Sequence, residues 1–256
     1  KKKKKQGREL TQLQTILQNQ VERFGEHVFK DGAMVIPGQV TLNVEFEYVK
    51  LASHTTSTAA SISGTTLTGA TSGVVATVTT TSEASSTAAA TLYVTYTKTG
   101  TNNTSRTFTE GETLSGTTAE GTAFTAVVGT SGTSLPTSSN ATGKASAVKV
   151  EEGVYFINGF FVKNSEETLI LDAYTNTPTY RVGFTTTESF VTPEGDTSLN
   201  DNAQGTSNIN APGAHRFKIG LSLAKKTLTA TDDENFVEIL RVNGGGLEKN
   251  CKKNRL

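Results

Sequence analysis

The 256-residue chain has no tryptophan, one methionine, one cysteine and three histidines. Each shortage closes off a class of chemistry. The lone cysteine, Cys251, cannot build a disulfide framework. His27, His54 and His215 stand far apart, each without a second nitrogen or thiolate nearby in sequence, so nothing supports a zinc site. Apolar residues make up 34% of the chain, and no run approaches the roughly 18 apolar residues of a membrane span. The five lysines at the start lead into no apolar stretch, so no signal peptide is legible. The first residue is not Met, which points to a fragment or an edited start.

The net charge of +0 is unevenly spread. Residues 1–8 and 249–255 hold six and four of the 24 basic residues and no acidic ones; the 240 residues between carry 14 basic against 24 acidic, a net of −10. An acidic body argues against nucleic acid as a partner, because phosphate neutralisation needs clustered Lys and Arg. The basic ends, 1–8 and 244–256, read as solvated tails.

What is abundant is threonine, serine, alanine and glycine, a composition that suits pleated, half-solvated strands. The expected class is all-β with one N-terminal amphipathic helix: an antiparallel β-sandwich or barrel-like core carrying an inserted Thr/Ser-rich β-domain. Residues 9–31 predict the helix. Leu10, Leu17 and Phe24 recur every seven residues, Leu13 stands three after Leu10, and Val21 and Val28 extend the stripe. Gln20 and His27 fall on the same seam. Such a stripe serves either a coiled-coil-like meeting of copies or a helix docked on its own sheet, and periodicity alone does not choose.

Residues 33–52 predict a hairpin turning at Pro37-Gly38, its second arm alternating Val40, Leu42, Val44, Phe46 and Tyr48 against Thr41, Asn43, Glu45 and Glu47. From 148 to 223, runs rich in Val, Ile, Phe and Tyr, fenced by Gly, Asn, Asp or Pro, predict an antiparallel meander. One β core of 33–52 plus 146–243 is expected. The Thr-rich segment 53–145 is then an insertion, with apolar pulses at 74–78, 92–96 and 124–128. Within it, LTGATSGVVATV (67–78) is echoed by LSGTTAEGTAFTAVV (114–128), each reading as a turn and then a strand.

No catalytic constellation is legible and no cofactor is implied. Glu151-Glu152, Glu166-Glu167 and Asp232-Asp233-Glu234 are adjacent carboxylates, which in strands face opposite ways and do not make a glycosidase pair; they read as solvated turns. Asp196, Ser198, Asn200, Asp201 and Asn202 offer oxygen ligands in one loop, but lack the glycine and glutamate placement of a calcium-binding loop. Asx-turn chemistry accounts for them. Tyr93, Tyr96, Tyr155, Tyr174 and Tyr180 read as strand packing before a sugar-binding platform.

That long polar loop, DTSLNDNAQGTSNINAPGAHR (196–216), carries Asp196, Leu199, Asp201, Asn208, Pro212, Gly213 and Arg216 as the candidate ordered surface. With GVYFINGFFV (153–162) and RELTQLQTILQNQVERFGEHVFKDG (8–32), it resembles a family of virion structural proteins of tailed phages, cyanophages in particular, over roughly residues 8 to 243. The resemblance implies a tail, baseplate or fibre-attachment component of the virion. Its partners would be other virion proteins and copies of itself, a trimer being favoured; the alternative reading, resting on the Ser/Thr-rich insertion and its tyrosines, is a carbohydrate- or host-surface-binding module. It implies no enzyme and no membrane partner, and it leaves LEKNCKKNRL (247–256) outside as unrelated sequence.

Overall fold

The computed structural model describes residues 7–36, 38–86, 88–131, 140–202, 205 and 210–250. The protein is all-β apart from one N-terminal helix, and its sheets are antiparallel. In chain order the elements are α1 (Gly7–Val28), β1 (Ala33–Ile36), β2 (Val40–His54), β3 (Thr66–Gly69), β4 (Val75–Ser82), β5 (Thr91–Lys98), β6 (Thr113–Thr117), β7 (Ala123–Val128) and β8 (Thr142–Val150). There follow β9 (Gly153–Ile157), β10 (Phe160–Asn164), β11 (Glu167–Asp172), β12 (Tyr180–Val191), β13 (Arg216–Lys226), β14 (Phe236–Asn243) and β15 (Gly246–Asn250). Two compact units result: Lys1–Thr41 with Lys149–Leu169 and Thr179–Leu256, and Leu42–Val148 with Ile170–Pro178.

The first unit holds α1 and two sheets, ordered β1-β9-β10 and β13-β12-β14-β15. β9 and β10 form a hairpin whose turn is Asn158-Gly159, with φ of 50° and 81°. Asn and Gly tolerate positive φ, and two such residues in a row match the right-handed twist of the flanking strands. The two sheets meet through Tyr155 of β9 and Phe184 of β12, ring centroids 4.7 Å apart and edge to face. β12 and β13 pair over eleven residues, from Arg181↔Lys226 to Val191↔Arg216.

The second unit is a closed barrel. Its strands run β2-β5-β4-β3-β6-β7, and β7 returns to β2 through Leu51↔Val128, Ser53↔Val127 and His54↔Ala126. The period-2 alternation decides what lies inside: Leu67, Ala76, Val78, Leu92, Leu114, Phe124 and Ala126 are buried, while Thr66, Thr68, Ser115 and Thr125 face out. Closure removes the exposed strand edges that so Thr-rich a sheet would otherwise present. The echoed stretches of sequence are the β3–β4 and β6–β7 hairpins, and they meet side by side at β3–β6. Glu112 pins the turn between β3 and β4. Its carboxylate accepts from Thr71 N, Ser72 N, Ser72 Oγ and Thr109 N at 2.6–3.0 Å.

Three expectations are corrected. The hairpin across 33–52 does not form: β1 pairs with β9, and β2 lies between β8 and β5, so the connection at Pro37-Gly38, whose Pro37 is outside the described residues, links two sheets. The boundary of the insertion moves with it. Val40–His54 shares no sheet with β9 or β10; it keeps β8 and, beyond it, β11 of the expected core on one side, and on the other pairs with β5 and β7 of 53–145, where its inward row supplies one wall of the barrel. Finally, the basic ends are partly ordered: Gly7 and Arg8 belong to α1, and Gly246–Asn250 pairs with β14 from Asn243↔Gly246 to Leu240↔Asn250.

Candidate assembly surface

α1 is amphipathic on two sides, and the structure divides the predicted stripe between them. At 3.6 residues per turn, Leu13, Leu17, Gln20, Phe24 and His27 fall on one face, while Gly25, Phe29 and Glu22 lie roughly a third to half a turn away. The second face docks. Gly25 is buried against Phe156, and a Cβ there would sit 2.2 Å from the ring. Phe29 closes a trio with Phe156 and Phe161 at centroid distances of 5.3–5.8 Å. Val21 and Val28, on the shoulder between the faces, are half-buried. The first face is open: Leu13, Leu17 and Phe24 are 64%, 64% and 65% exposed, and Ile16 beside them is 50% exposed. The Leu10 side chain lies outside the described ones.

A second apolar surface was not foreseen. On the core-facing side of the β12–β13 hairpin, Phe184 and Leu223 are buried, yet three steps of two residues outward the same row reaches Phe190↔Phe217, 67% and 44% exposed. Phe217 stacks between Phe190 and Phe160, with centroids 5.6 and 5.5 Å away. The hairpin overruns the sheet that covers it. Its signal in the sequence was an alternation carried on past the last buried pair by ESFV and RFKIG.

The polar loop is an ordered coil where described. Asp196 accepts from Ser198 N at 3.0 Å and caps the short 3-10 turn Thr197–Leu199. Hydrogen bonds from Ser198, side chain and backbone, hold the Asp196 carboxyl below its ordinary value. Asp201 pairs with the far arm of the loop, its N–H on Ala211 O and its carbonyl accepting from Asn210 N. Gly213 sits so close to Leu199 that a Cβ would meet its carbonyl oxygen at 2.1 Å. Pro212 is exposed, and Arg216 opens β13 opposite Val191. Asn208 lies outside the described residues. Among the described residues no group of three or more His, Cys, Asp or Glu side chains is arranged to hold a metal ion.

Of the acidic pairs, Asp233 is no mere solvated turn. Arg181, its side chain 9% exposed within β12, donates to Glu238 through Nε at 2.5 Å, to Asp233 through both terminal nitrogens, and to Ala230 O at 2.8 Å. Arg241 joins Glu238 at 3.0 Å. Burial works against a charged Glu238, but the hydrogen bonds from Arg241 and Arg181 prevail and its carboxyl stays below the usual range. The Asp233 carboxyl is lowered by its bond from Arg181, and the Arg181 guanidinium is raised by Asp233 and then Glu238. The clue was a lone arginine inside the apolar run YRVGF. Lys50 gave a similar one in YVKLA: it is buried in the second unit, its Nζ 3.9 Å from the centre of the Tyr174 ring, and burial lowers its pKa.

The five tyrosines are not equally enclosed: Tyr96, Tyr174 and Tyr180 are half-buried. Tyr93 and Tyr155 are buried, and Tyr93 stacks on Phe46 at 5.4 Å. A groove of about 650 Å³ in the second unit is lined by small, mostly hydroxyl-bearing residues, among them Ser63, Thr66, Thr68, Ser115 and Thr117, with no aromatic residue in its lining.

These features define an all-β protein with a projecting amphipathic helix and an uncovered aromatic hairpin, rather than one built around a pocket. The chain belongs to the family described as domain of unknown function (DUF4815), whose model matches residues 97–254, more than half its length. That match runs through Gly246–Asn250, so the C-terminal stretch set aside as unrelated sequence is part of the family pattern. No curated protein and no solved structure matches the chain.

Proposed function

We propose that the protein is a structural component of a tailed-phage virion, at the tail, baseplate or fibre attachment, acting by assembly with other virion proteins and with its own copies. The observation that carries this reading is the open face of α1, where Leu13, Leu17 and Phe24 stand nearly two-thirds exposed in a chain that is otherwise sparing with apolar residues. Large apolar side chains aligned on one exposed face mark a contact surface. The likeness of residues 8–32, 153–162 and 196–216 to virion proteins supplies the setting. For glycan binding by the barrel, the tyrosines that would stack on sugars are unequally available: Tyr93 is buried, while Tyr96 and Tyr174 are half-buried.

The test is direct. Tailed-phage particles from the source of this gene are purified, dissociated stepwise and analysed by mass spectrometry. The chain is expected in the tail or baseplate fraction at a fixed ratio to the other structural proteins. Its absence from intact particles sinks the reading.

A further inference from the structure

We infer that residues 173–177 form a strap closed over a reactive amine: Tyr174 roofs Lys50 of β2, and the strap lifts with the barrel still folded, opening Lys50 to acylation by an activated acyl donor. The site begins with strand parity. Val49 and Leu51 point into the barrel core, so Tyr48 and Lys50, one step out of phase, stand on its outer face beside their register partners Tyr93 and Thr91. A lysine so placed ordinarily carries its ammonium out to water along its apolar stem. Lys50 is instead 0% exposed.

Tyr174 makes the difference. Its ring centre lies 3.9 Å from Lys50 Nζ, and the ring meets Tyr48 edge to face at 5.1 Å. Its hydroxyl is 3.0 Å from Thr91 Oγ1; Thr91 gives its own proton to Ala89 O at 2.9 Å, so Tyr174 is the donor. The segment that carries this ring is lightly held. Leu171 and Pro178 are buried at its two ends, but Thr175, Asn176 and Thr177 between them are exposed. Among the described residues the backbone of 173–177 joins no strand ladder, and Thr175 and Thr177 bond each other, N–H to hydroxyl at 3.3 Å and hydroxyl to hydroxyl at 3.1 Å. Segments with so few backbone hydrogen bonds and so little burial open far more readily than the whole domain unfolds. Tyr174 is therefore the fastening, and Leu171 and Pro178 are the hinges.

Once uncovered, the neutral amine attacks the acyl carbon: the N–C bond forms, the bond from that carbon to its leaving group breaks, and the proton passes to water. The amide that results has no charge to hold the Tyr174 ring and is bulkier than the amine the closed strap fits. Acylation of Lys50 thus keeps the strap from reseating.

The full-length chain is treated with the N-hydroxysuccinimide ester of acetic acid at fixed pH, across urea concentrations below the unfolding transition. Peptide mass spectrometry follows acetylation of Lys50, with the exposed Lys98 as reference. Lys50 is expected to react about 10–100-fold more slowly than Lys98, at a rate nearly independent of urea, as local opening requires. Tyr174→Phe keeps the ring and loses the bond to Thr91, so Lys50 is expected to react about 2–10-fold faster than in the parent, with melting of the barrel little changed. Tyr174→Ala removes the roof and is expected to bring Lys50 close to the rate of Lys98. Three results overturn the inference: a parent Lys50 as fast as Lys98; a Lys50 that reacts only as urea unfolds the chain, roughly 1,000-fold or more behind Lys98; or a Lys50 that stays protected in Tyr174→Ala.

Discussion

Gly25 of α1 rests directly on Phe156 of β9, with no room between helix and ring for even a methyl group. Phe156 is itself buried between Phe29 and Phe161, so it cannot swing aside. Gly25→Val is therefore expected to lower the stability of the first unit by about 1–3 kcal/mol, the usual cost of overpacking, despite the gain in helix propensity over glycine. Urea unfolding of the two proteins measures it. An unchanged midpoint would mean that the helix is not held there.

Arg181 is the keystone of a charged network inside a sheet. Arg181→Met keeps the length of the side chain but leaves Glu238 with only Arg241 in an enclosed setting. Loss of one partner of a buried pair costs about 3 kcal/mol or more. Arg181→Lys is expected to recover little, because an ammonium cannot reach both carboxylates and Ala230 O as the planar fork does. Denaturant midpoints of the three proteins rank the outcomes.

The same network sets an acid response. The folded-state pKa values of Asp233 and Glu238 lie below their ordinary values of 3.8 and 4.5, so the folded state gives up these protons more readily than the unfolded one. The stabilisation is complete above that range and is lost as pH falls through it and below. The Asp233→Asn, Glu238→Gln double variant is expected to be less stable than the parent at pH 7 and to show a shallower fall between pH 5 and the acid limit. Melting temperatures across that interval decide; parallel curves would contradict the assignment.

In the second unit, Glu112 serves four donors with two oxygens. Glu112→Gln turns an acceptor into a donor facing backbone N–H groups, and a loss of about 1–3 kcal/mol follows from the groups left unsatisfied. Hydrogen exchange at Thr71, Ser72 and Thr109 is expected to quicken before that of the barrel strands.

Tyr155 behaves in the opposite way. Its hydroxyl is buried, has no hydrogen-bond partner among the described residues, and is pushed up to about 12 by that burial. Tyr155→Phe keeps the ring against Phe184 and removes an unsatisfied polar group, so stability is expected to hold or rise, within about 1 kcal/mol. A clear loss would reveal a partner for that oxygen.

What could be read from the sequence was local. The seven-residue spacing of α1 and the alternation in 40–48 each depend on neighbours in the chain, and each appears in the fold. What escaped depends on distant pairing. Ala33–Ile36 is four apolar residues beside a Pro-Gly signal, and such a run fits a hairpin arm as well as the edge of a remote sheet; only β9 shows which. Barrel closure rests on Leu51 meeting Val128, 77 positions on, and no periodicity encodes that. The candidate surface was half legible: the stripe on α1 could be seen, but its division into docked and open faces required Phe156, and the overhang at Phe190 and Phe217 required knowing where its covering sheet ends.

The placement of the barrel between Ile36 and its register partner Val154 also orders events during synthesis. Those two residues are 118 positions apart, so at roughly 5–20 residues per second β1 waits about 6–24 s for β9 to be made. All six barrel strands are complete by Val128, well before that. The nascent chain thus finishes its inner parcel first, while the helix and first strand that precede it are still without the surface on which they will close.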